Sequence, residues 1–363
     1  MEWNGMEWGV LTNATDGHVV IYGFGNQLIG WDAGNYDIYV AKSDYDALFK
    51  KVKNNPNAFC YLAHPDPNHF NNLASNPYNA TYDSAIVGVP FRSGPAFSTC
   101  KTYTDYPTND YLWYYKTLLS KGYKIGCGYD HDSHYTNFGR NDGGRLVILA
   151  PSLTTNNLFS AMKNMHFYGS DDWNAAIDFK INGSEIMGNI ASAPANPTIT
   201  ISHNDGDGEV ADSIKIWAGY AGSNTLPTVI HIALNTNVLS YIDNNINLNA
   251  QKYYFIEIVQ QDGERIITSP IWYTKILPTD IHQLDNALNV ILYPNPIQGV
   301  LYISNVEKDY DVVISDVTGK QLISQHINEN NANIDMNHIS QGVYLIYIYK
   351  NENLVYTNKL IKN

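Results

Sequence analysis

Apolar positions in the first half of the chain switch repeatedly between helical and strand spacing. After Ser43 and Asp46, a pairing that reads as a capping box, Ala47, Leu48 and Val52 recur at helical intervals as far as the NNPN turn. The short apolar run AFCYLA then reads as a strand. The pattern repeats: Thr108 offers an N-cap, Leu112, Tyr115 and Leu119 form a helical stripe, Gly122 ends it, and YKIGCG leads outward as a strand. NLFSAMKNM, residues 157–165, predicts a further amphipathic helix. Two helix-then-strand units in series predict parallel α/β architecture. From about residue 195 the period falls to two in TITISH, SIKIWAG, TVIHIAL and KYYFIEIVQ, with Gly, Asn and Asp turns between them, which predicts a β-sandwich. Beyond the polar stretch TDIHQLDNA, the strands VLYIS, DVVISD, GVYLIYIYK and LVYTNKLIKN predict a second, smaller sandwich. The expected division is an α/β domain at 1–190, a β-sandwich at 191–278, a linker at 279–290 and a small β domain at 291–363.

Charge narrows the partners. A net charge of -13 argues against nucleic acid or an anionic membrane surface. No run approaches the length of a transmembrane helix, and the opening MEWNGMEWGV lacks the basic and apolar regions of a signal peptide. Cys60, Cys100 and Cys127 are odd in number and lack C-x-x-C spacing, so neither a disulfide framework nor a thiolate zinc site is indicated. The acidic loop NDGDGEVAD invites a calcium reading, yet it lacks the full spacing of an EF-hand and reads as a turn between strands.

Candidate chemistry gathers beside predicted strands: Glu7 in GMEWGV, His18 before VVIYG, His64 in YLAHP, and Asp132 with His134 in HDSH. Imidazole nitrogens mixed with carboxylate oxygens suit zinc, iron or manganese better than calcium. Each residue alone has an ordinary reading: Glu7 as a surface carboxylate, His18 as a packing histidine, His64 as a strand end before Pro65. Asp132 and His134 stand out, because ionisable groups crowded at a strand end are costly unless ionic partners offset desolvation. Asp130 and His131 stand less clearly than Asp132 and His134, and Asp66 and His69 in HPDPNHF read as loop residues.

The order of EW, AHP and DHDSH resembles the PHP metal-dependent hydrolases, in particular the carbaryl-hydrolase-like branch, and RSGPAF, YKTLLSKGYKIG, FGRNDGGRLVILAPSLT and MHFYGSDDWN extend the likeness over roughly residues 1–190. The resemblance implies a partial distorted (β/α) barrel around clustered divalent ions, with Glu7, His64, Asp132 and His134 as ligands and His18 as a fifth. That family has an H-x-H and a D-H motif ahead of the segment resembling GMEWGV, so an opening part of the domain is expected upstream of this sequence. YPNPIQGVLYIS, VVISDVTGKQLIS, ISQGVYLIYIY and NKLIKN resemble the C-terminal sorting domain of type IX secretion cargo, over about residues 291–363. This implies engagement of the type IX machinery, a signal peptide upstream, and a secreted or surface location. An adhesive or spacer β domain is the plainer reading of the same strands.

Together these readings predict a secreted metal-dependent hydrolase, foremost a phosphoesterase, in which zinc, manganese or iron lowers the pKa of bound water for attack on a small-molecule or polymer-derived ester. Arg140 would contact substrate phosphate and His131 would assist the leaving group. The branch also includes enzymes that cleave carbamate and amide-like bonds, so the bond type stays open. The competing expectation is a non-catalytic surface protein on a degenerate barrel that presents some of its 28 tyrosines and 7 tryptophans to a glycan.

Overall fold

The computed structural model describes residues 5–277, 290–306, 309–351 and 353–363. Apart from residue 290, the expected linker at 279–290 lies outside the described residues. Contacts divide the chain after Leu277.

Local signals place the helices of the first unit, with shifts at their starts. Helix Tyr45–Asn54 is capped by Asp44, one residue beyond the expected Ser43, and the Asp44 carboxylate accepts from the Ala47 amide. Leu48, Phe49 and Val52 form its buried face. Helix Leu112–Lys121 starts after Tyr111, and Asp110 rather than Thr108 accepts from the Leu112 amide. Gly122 ends this helix at φ 105°, a left-handed conformation in which its amide reaches back to the Leu118 and Leu119 carbonyls.

These helices flank a six-stranded sheet that remains open. Strand Gly5–Trp8 pairs antiparallel with Val19–Tyr22, which pairs antiparallel with Phe59–Leu62. Phe59–Leu62 and Gly126–Tyr129 then run parallel to Ile86–Ser93 on either side, and the two-residue strand Asn109–Asp110 adds antiparallel to the far end of Ile86–Ser93. Among the described residues three strands of this sheet are parallel, and Gly5–Trp8 has no second neighbour to close a ring. The expected partial (β/α) barrel is therefore corrected: strands dominate the chain in several open sheets, and its larger architecture is the β-sandwich.

That sandwich faces an eight-stranded sheet against a four-stranded one. The larger sheet runs Ile190–Ala193, Ile271–Lys275, Gln251–Gln260, Arg265–Thr268, Phe167–Ser170 and Arg145–Ile148, with Ala211–Tyr220 also on Gln251–Gln260 and Thr228–Leu234 beyond it. The smaller sheet orders Glu185–Ile186, Ala176–Ile181, Thr198–Asn204 and Val238–Ile242. Between them Ile177, Phe179, Ile199, Ile201, Ile214, Ile216, Ile256 and Ile258 are buried, the inward half of each alternating strand. Arg145–Ile148 and Phe167–Ser170, which belong to the larger sheet, lie well before residue 190.

The open sheet and the sandwich share a seam. Tyr253, Phe255 and Trp272 of the larger sheet bury into the core that Leu48, Val89 and Leu118 build under the open sheet. The Ser269 hydroxyl accepts from the Cys127 amide at 3.1 Å and donates to the Phe167 carbonyl at 2.5 Å, joining the two sheets through one buried side chain. After the division, strands Gln321–Ile327, Tyr310–Asp316, Gly342–Lys350 and Asn353–Lys362 form one sheet and Ile291–Tyr293, Val300–Ser304 and Asn331–Asp335 another, over a core of Leu301, Ile303, Val312, Ile314, Ile346 and Ile348.

The seam leaves no room for a side chain at Gly169, where an added Cβ would stand 2.4 Å from the Gly128 carbonyl oxygen and 2.8 Å from Phe91. Gly169→Ala is expected to cost about 1–3 kcal/mol through this overpacking, read by urea denaturation. An unchanged midpoint would show that the sheets approach less closely.

Candidate metal centre

Strand pairing carries the site. Glu7 lies opposite Val20 in the pairing of Gly5–Trp8 with Val19–Tyr22, one residue before the buried Trp8. His18 immediately precedes Val19, and the Ala63 amide donates to the His18 carbonyl at 3.0 Å, extending the Val19–Leu62 register by one residue. His64 follows, with a positive φ of 26° that turns the chain out of the sheet. Three residues distant in sequence thus meet at one end of neighbouring strands.

Their donor atoms are tightly grouped. Glu7 Oε1 lies 3.0 Å from His18 Nδ1 and 3.4 Å from His64 Nε2, and the two ring nitrogens are 3.3 Å apart. The imidazoles meet edge to face, with ring centroids 5.0 Å apart. Ligands about 2.1 Å from one tetrahedral ion stand about 3.4 Å from each other, so this triangle matches one face of a transition-metal coordination shell. The donor set of two nitrogens and one carboxylate oxygen suits zinc, manganese or iron. Three protein ligands on a partly exposed rim leave a coordination position for water or a ligand, as open zinc sites do.

The surrounding charges reinforce the grouping. Hydrogen bonds to His18 and then His64 hold the Glu7 carboxyl well below the usual carboxylate range, against the opposing effect of burial. Burial disfavours the charged form of His64, yet the Glu7 hydrogen bond and the Asp132 and Glu7 charges outweigh it and raise its pKa. Asp130 keeps some accessible surface but is crowded by protein atoms, and desolvation pushes it up to about 8, with Asp132 and Glu7 adding to the rise against His64. Asp132 is raised mainly by desolvation, and its φ of 51° places it in a left-handed turn.

The remaining expected site residues lie elsewhere. His134 is exposed, with Nδ1 2.7 Å from the Asp132 carbonyl oxygen and its ring 4.6 Å from that of Phe97. His131 turns its Nε2 to Asp142 Oδ1 at 3.1 Å, beside Arg145. Arg140 is exposed and donates from Nε to the Asn137 carbonyl. Asp66 and His69 interact with each other in their loop. Asp130 is the residue near the triad that spacing alone undervalues; its desolvation, set by the fold, carries no mark in DHDSH.

The folded pKa of Glu7 lies below its unfolded value, so the stability it contributes in metal-free protein is present above about pH 4.3 and is lost on acidification. The folded pKa of His64 lies above its unfolded value, so its contribution is present below about pH 6.5 and fades as pH rises through the folded value. His64→Ala is therefore expected to destabilise chelator-treated protein more at about pH 5.5 than at about pH 8.5. Equal losses in urea denaturation at both pH values would contradict the pairing.

Comparison with known proteins bears chiefly on the end of the chain. Residues 291–363 match the family model for the secretion system C-terminal sorting domain. No curated protein matches the chain. Among solved structures it is similar to PorZ, a surface component of the type IX secretion system of Porphyromonas gingivalis, at 12% identity and a TM-score of 0.20, over 49% of this chain and 30% of that one. It is also similar to the FN1–FN3 domains of chicken CNTN1, at 12% identity and a TM-score of 0.20, over 48% of this chain and 68% of that one. Fibronectin(III)-like modules of Clostridium thermocellum CbhA stand at 12% and 0.20, over 51% of this chain and 93% of theirs. The chain thus spans less than a third of the length of PorZ. No helix among the described residues is long and apolar enough to cross a membrane. Residues 291–363 are a secretion-system C-terminal sorting domain, and they mark the chain as cargo that engages the type IX machinery and reaches the cell surface or the exterior.

Proposed function

We propose that this chain is an exported surface-binding protein that holds one divalent transition-metal ion between Glu7, His18 and His64. The observation that carries the reading is the triangle of donor atoms at 3.0, 3.3 and 3.4 Å. The sorting domain supports the location, and a chain built mostly of β-sandwich supports a binding role. A glycan as the bound partner draws less from the aromatic content than the composition suggests, because Trp8, Trp272, Tyr45, Tyr114, Tyr115 and Tyr253 are among the largest fully buried side chains.

A hydrolytic role for the same ion is a second reading, supported by the carboxyls of the DHDSH segment: burial raises the pKa of Asp130 and of Asp132, His64 acts electrostatically on Asp130, and Asp132 on His64. A carboxyl that titrates near neutrality beside an open metal position is suited to proton transfer. The ion would supply Lewis acidity and a more acidic bound water.

Calorimetric titration of zinc and manganese into chelator-treated protein is expected to show one site per chain. Loss of one of three direct ligands should exceed the roughly 10–100-fold cost of losing an outer partner, so His64→Ala should weaken zinc by about 100-fold or more. Affinity should also fall as pH drops through the raised folded pKa of His64, where protons compete for the imidazole. No saturable binding, or equal binding by His64→Ala, would overturn the proposal. Metal-dependent turnover of aryl phosphates, diesters or carbamates that disappears in Asp130→Asn would establish the hydrolytic reading. Binding without turnover would leave the ion in a binding protein.

A further inference from the structure

A cleft of about 510 Å³ opens between Asp46 of helix Tyr45–Asn54, the loop 71–80 and Tyr123 beyond helix Leu112–Lys121. Volumes of this order hold small organic molecules. No residue of the triad lines it.

Its wall starts from a strained turn. Phe70, Asn71 and Asn72 follow one another in the left-handed region at φ 54°, 55° and 59°, a conformation that a bulky side chain rarely adopts. Burial enforces it: Phe70 is 0% exposed, packed against the Tyr45 and Tyr114 rings, and Gly17 lacks the Cβ that would stand 2.7 Å from it. The loop that follows is tied down through its backbone. The Asn72 carbonyl accepts from the Asn76 amide, the Asn71 carbonyl from Asn76 Nδ2, and the Asn76 carbonyl from Lys121 Nζ at 2.9 Å. The Tyr123 hydroxyl accepts from the Asn79 amide. Strain maintained by packing in this way is a mark of segments that present groups to a ligand.

The groups presented are side chains. Among the described residues the Asn71 amide makes no hydrogen bond, and Asn76 Oδ1, Asn79 Nδ2 and Asp46 Oδ2 have no partner. All four residues line the cleft; Asp46, Asn71 and Asn76 are exposed and Asn79 is partly so, which leaves these atoms within reach of a solute. Tyr78 stands among them 44% exposed, its hydroxyl donating to Asp83 at 2.8 Å and its ring centroid 5.1 Å from that of Tyr123.

This lining selects a ligand by exclusion and by fit. No lysine, arginine or histidine lines the cleft, so a phosphate or carboxylate would meet no counter-charge. It offers neither a free sheet edge nor an apolar groove, the features that hold extended or helical peptides. Amides that both donate and accept, with one carboxylate as acceptor, match hydroxyl groups, which also do both. An exposed tyrosine face suits the C–H face of a sugar ring. We infer that this cleft binds a neutral saccharide, with hydroxyls on Asp46, Asn71, Asn76 and Asn79 and one sugar ring over Tyr78. A saccharide there gives the surface-binding role proposed above its ligand, and the assignment rests on that role but not on the metal ion.

Calorimetry on the full chain with maltotriose, cellotriose, mannotriose and chitotriose as separate titrants tests this. Saturable binding of at least one is expected, with an affinity that holds as salt is raised because the ligand carries no charge. Tyr78→Ala and the near-isosteric Asp46→Asn should each weaken it about tenfold. Tyr78→Phe keeps the ring and loses only the bond to Asp83, so it should bind as the parent does; a purely structural tyrosine would give Phe and Ala the same loss. Tyr106→Ala, 81% exposed and outside this cleft, should change nothing. If Tyr78→Ala fails to fold, Asp46→Asn and Tyr78→Phe still decide. No binding of any trisaccharide up to about 10 mM, or affinity unchanged in both Tyr78→Ala and Asp46→Asn, would overturn the assignment. Zinc titration of the same samples keeps the two proposals apart, since the triad should bind zinc whether or not the cleft takes a sugar.

Discussion

The candidate site depends on the register between Val19–Tyr22 and Phe59–Leu62. Because strand side chains alternate faces, a slip of one residue would send His18 or His64 to the opposite face and separate their nitrogens. The hydrogen bond from the Ala63 amide to the His18 carbonyl carries that register to the strand ends. Buried Val19, Ile21, Cys60 and Leu62 hold it, since each would have to surrender apolar burial for the pair to slip. Glu7 completes the triad on the outermost strand, where its position costs least and leaves the group open to solvent.

A second constraint holds the larger part of the chain together. Gly88, Gly126, Gly128 and Gly169 are glycines because groups of the adjoining layer occupy the space of a Cβ: Phe167 over Gly88 and Gly126, Leu146 over Gly128 together with Tyr61 of its own sheet, the Gly128 carbonyl over Gly169. With side chains removed, backbone meets backbone, and Ser269 satisfies two buried backbone groups across the gap. This close seam fixes Gly126–Tyr129, whose end launches Asp130 and Asp132 toward the triad and His131 toward Asp142.

Features set by residues adjacent along the chain are legible in the amino-acid pattern. The Gly122 helix end, the strands after the NNPN turn and at Gly126–Tyr129, and the alternating strands beyond residue 195 follow from short-range chemistry, and they stand where the pattern puts them. Helix starts shift because Asp44 and Asp110 compete with Ser43 and Thr108 for the same amides, and side-chain reach decides between them. Whether a sheet closes is settled by which strands become its edges, and nothing in GMEWGV declares that Gly5–Trp8 will be one; the barrel expectation fails there. In the site, the histidines at strand ends are readable as candidate ligands, but the turn of His134 toward Phe97 and of His131 toward Asp142 follows from loop backbone that spacing does not encode. The acidic loop reads as a turn, and it is one; that it wraps Asp205 against Asp172 and Gln260 depends on loops of three other connections meeting it.

How closely its charge is packed decides whether a site can grip an ion. At the triad, one carboxylate and two imidazoles stand within 3.4 Å, and a small ion that tolerates nitrogen can touch all three at once. In the acidic cavity at the end of the sandwich the carboxylates come from separate loops, with Arg92 tied to Asp110 and Asp171 and Asp142 facing His131. An ion seated beside one of these carboxylates would forfeit most of the attraction of the rest, since the interaction falls with distance and is screened by water. Close packing of the donors, rather than total charge, is therefore what suits the strand ends to the ion proposed for Glu7, His18 and His64.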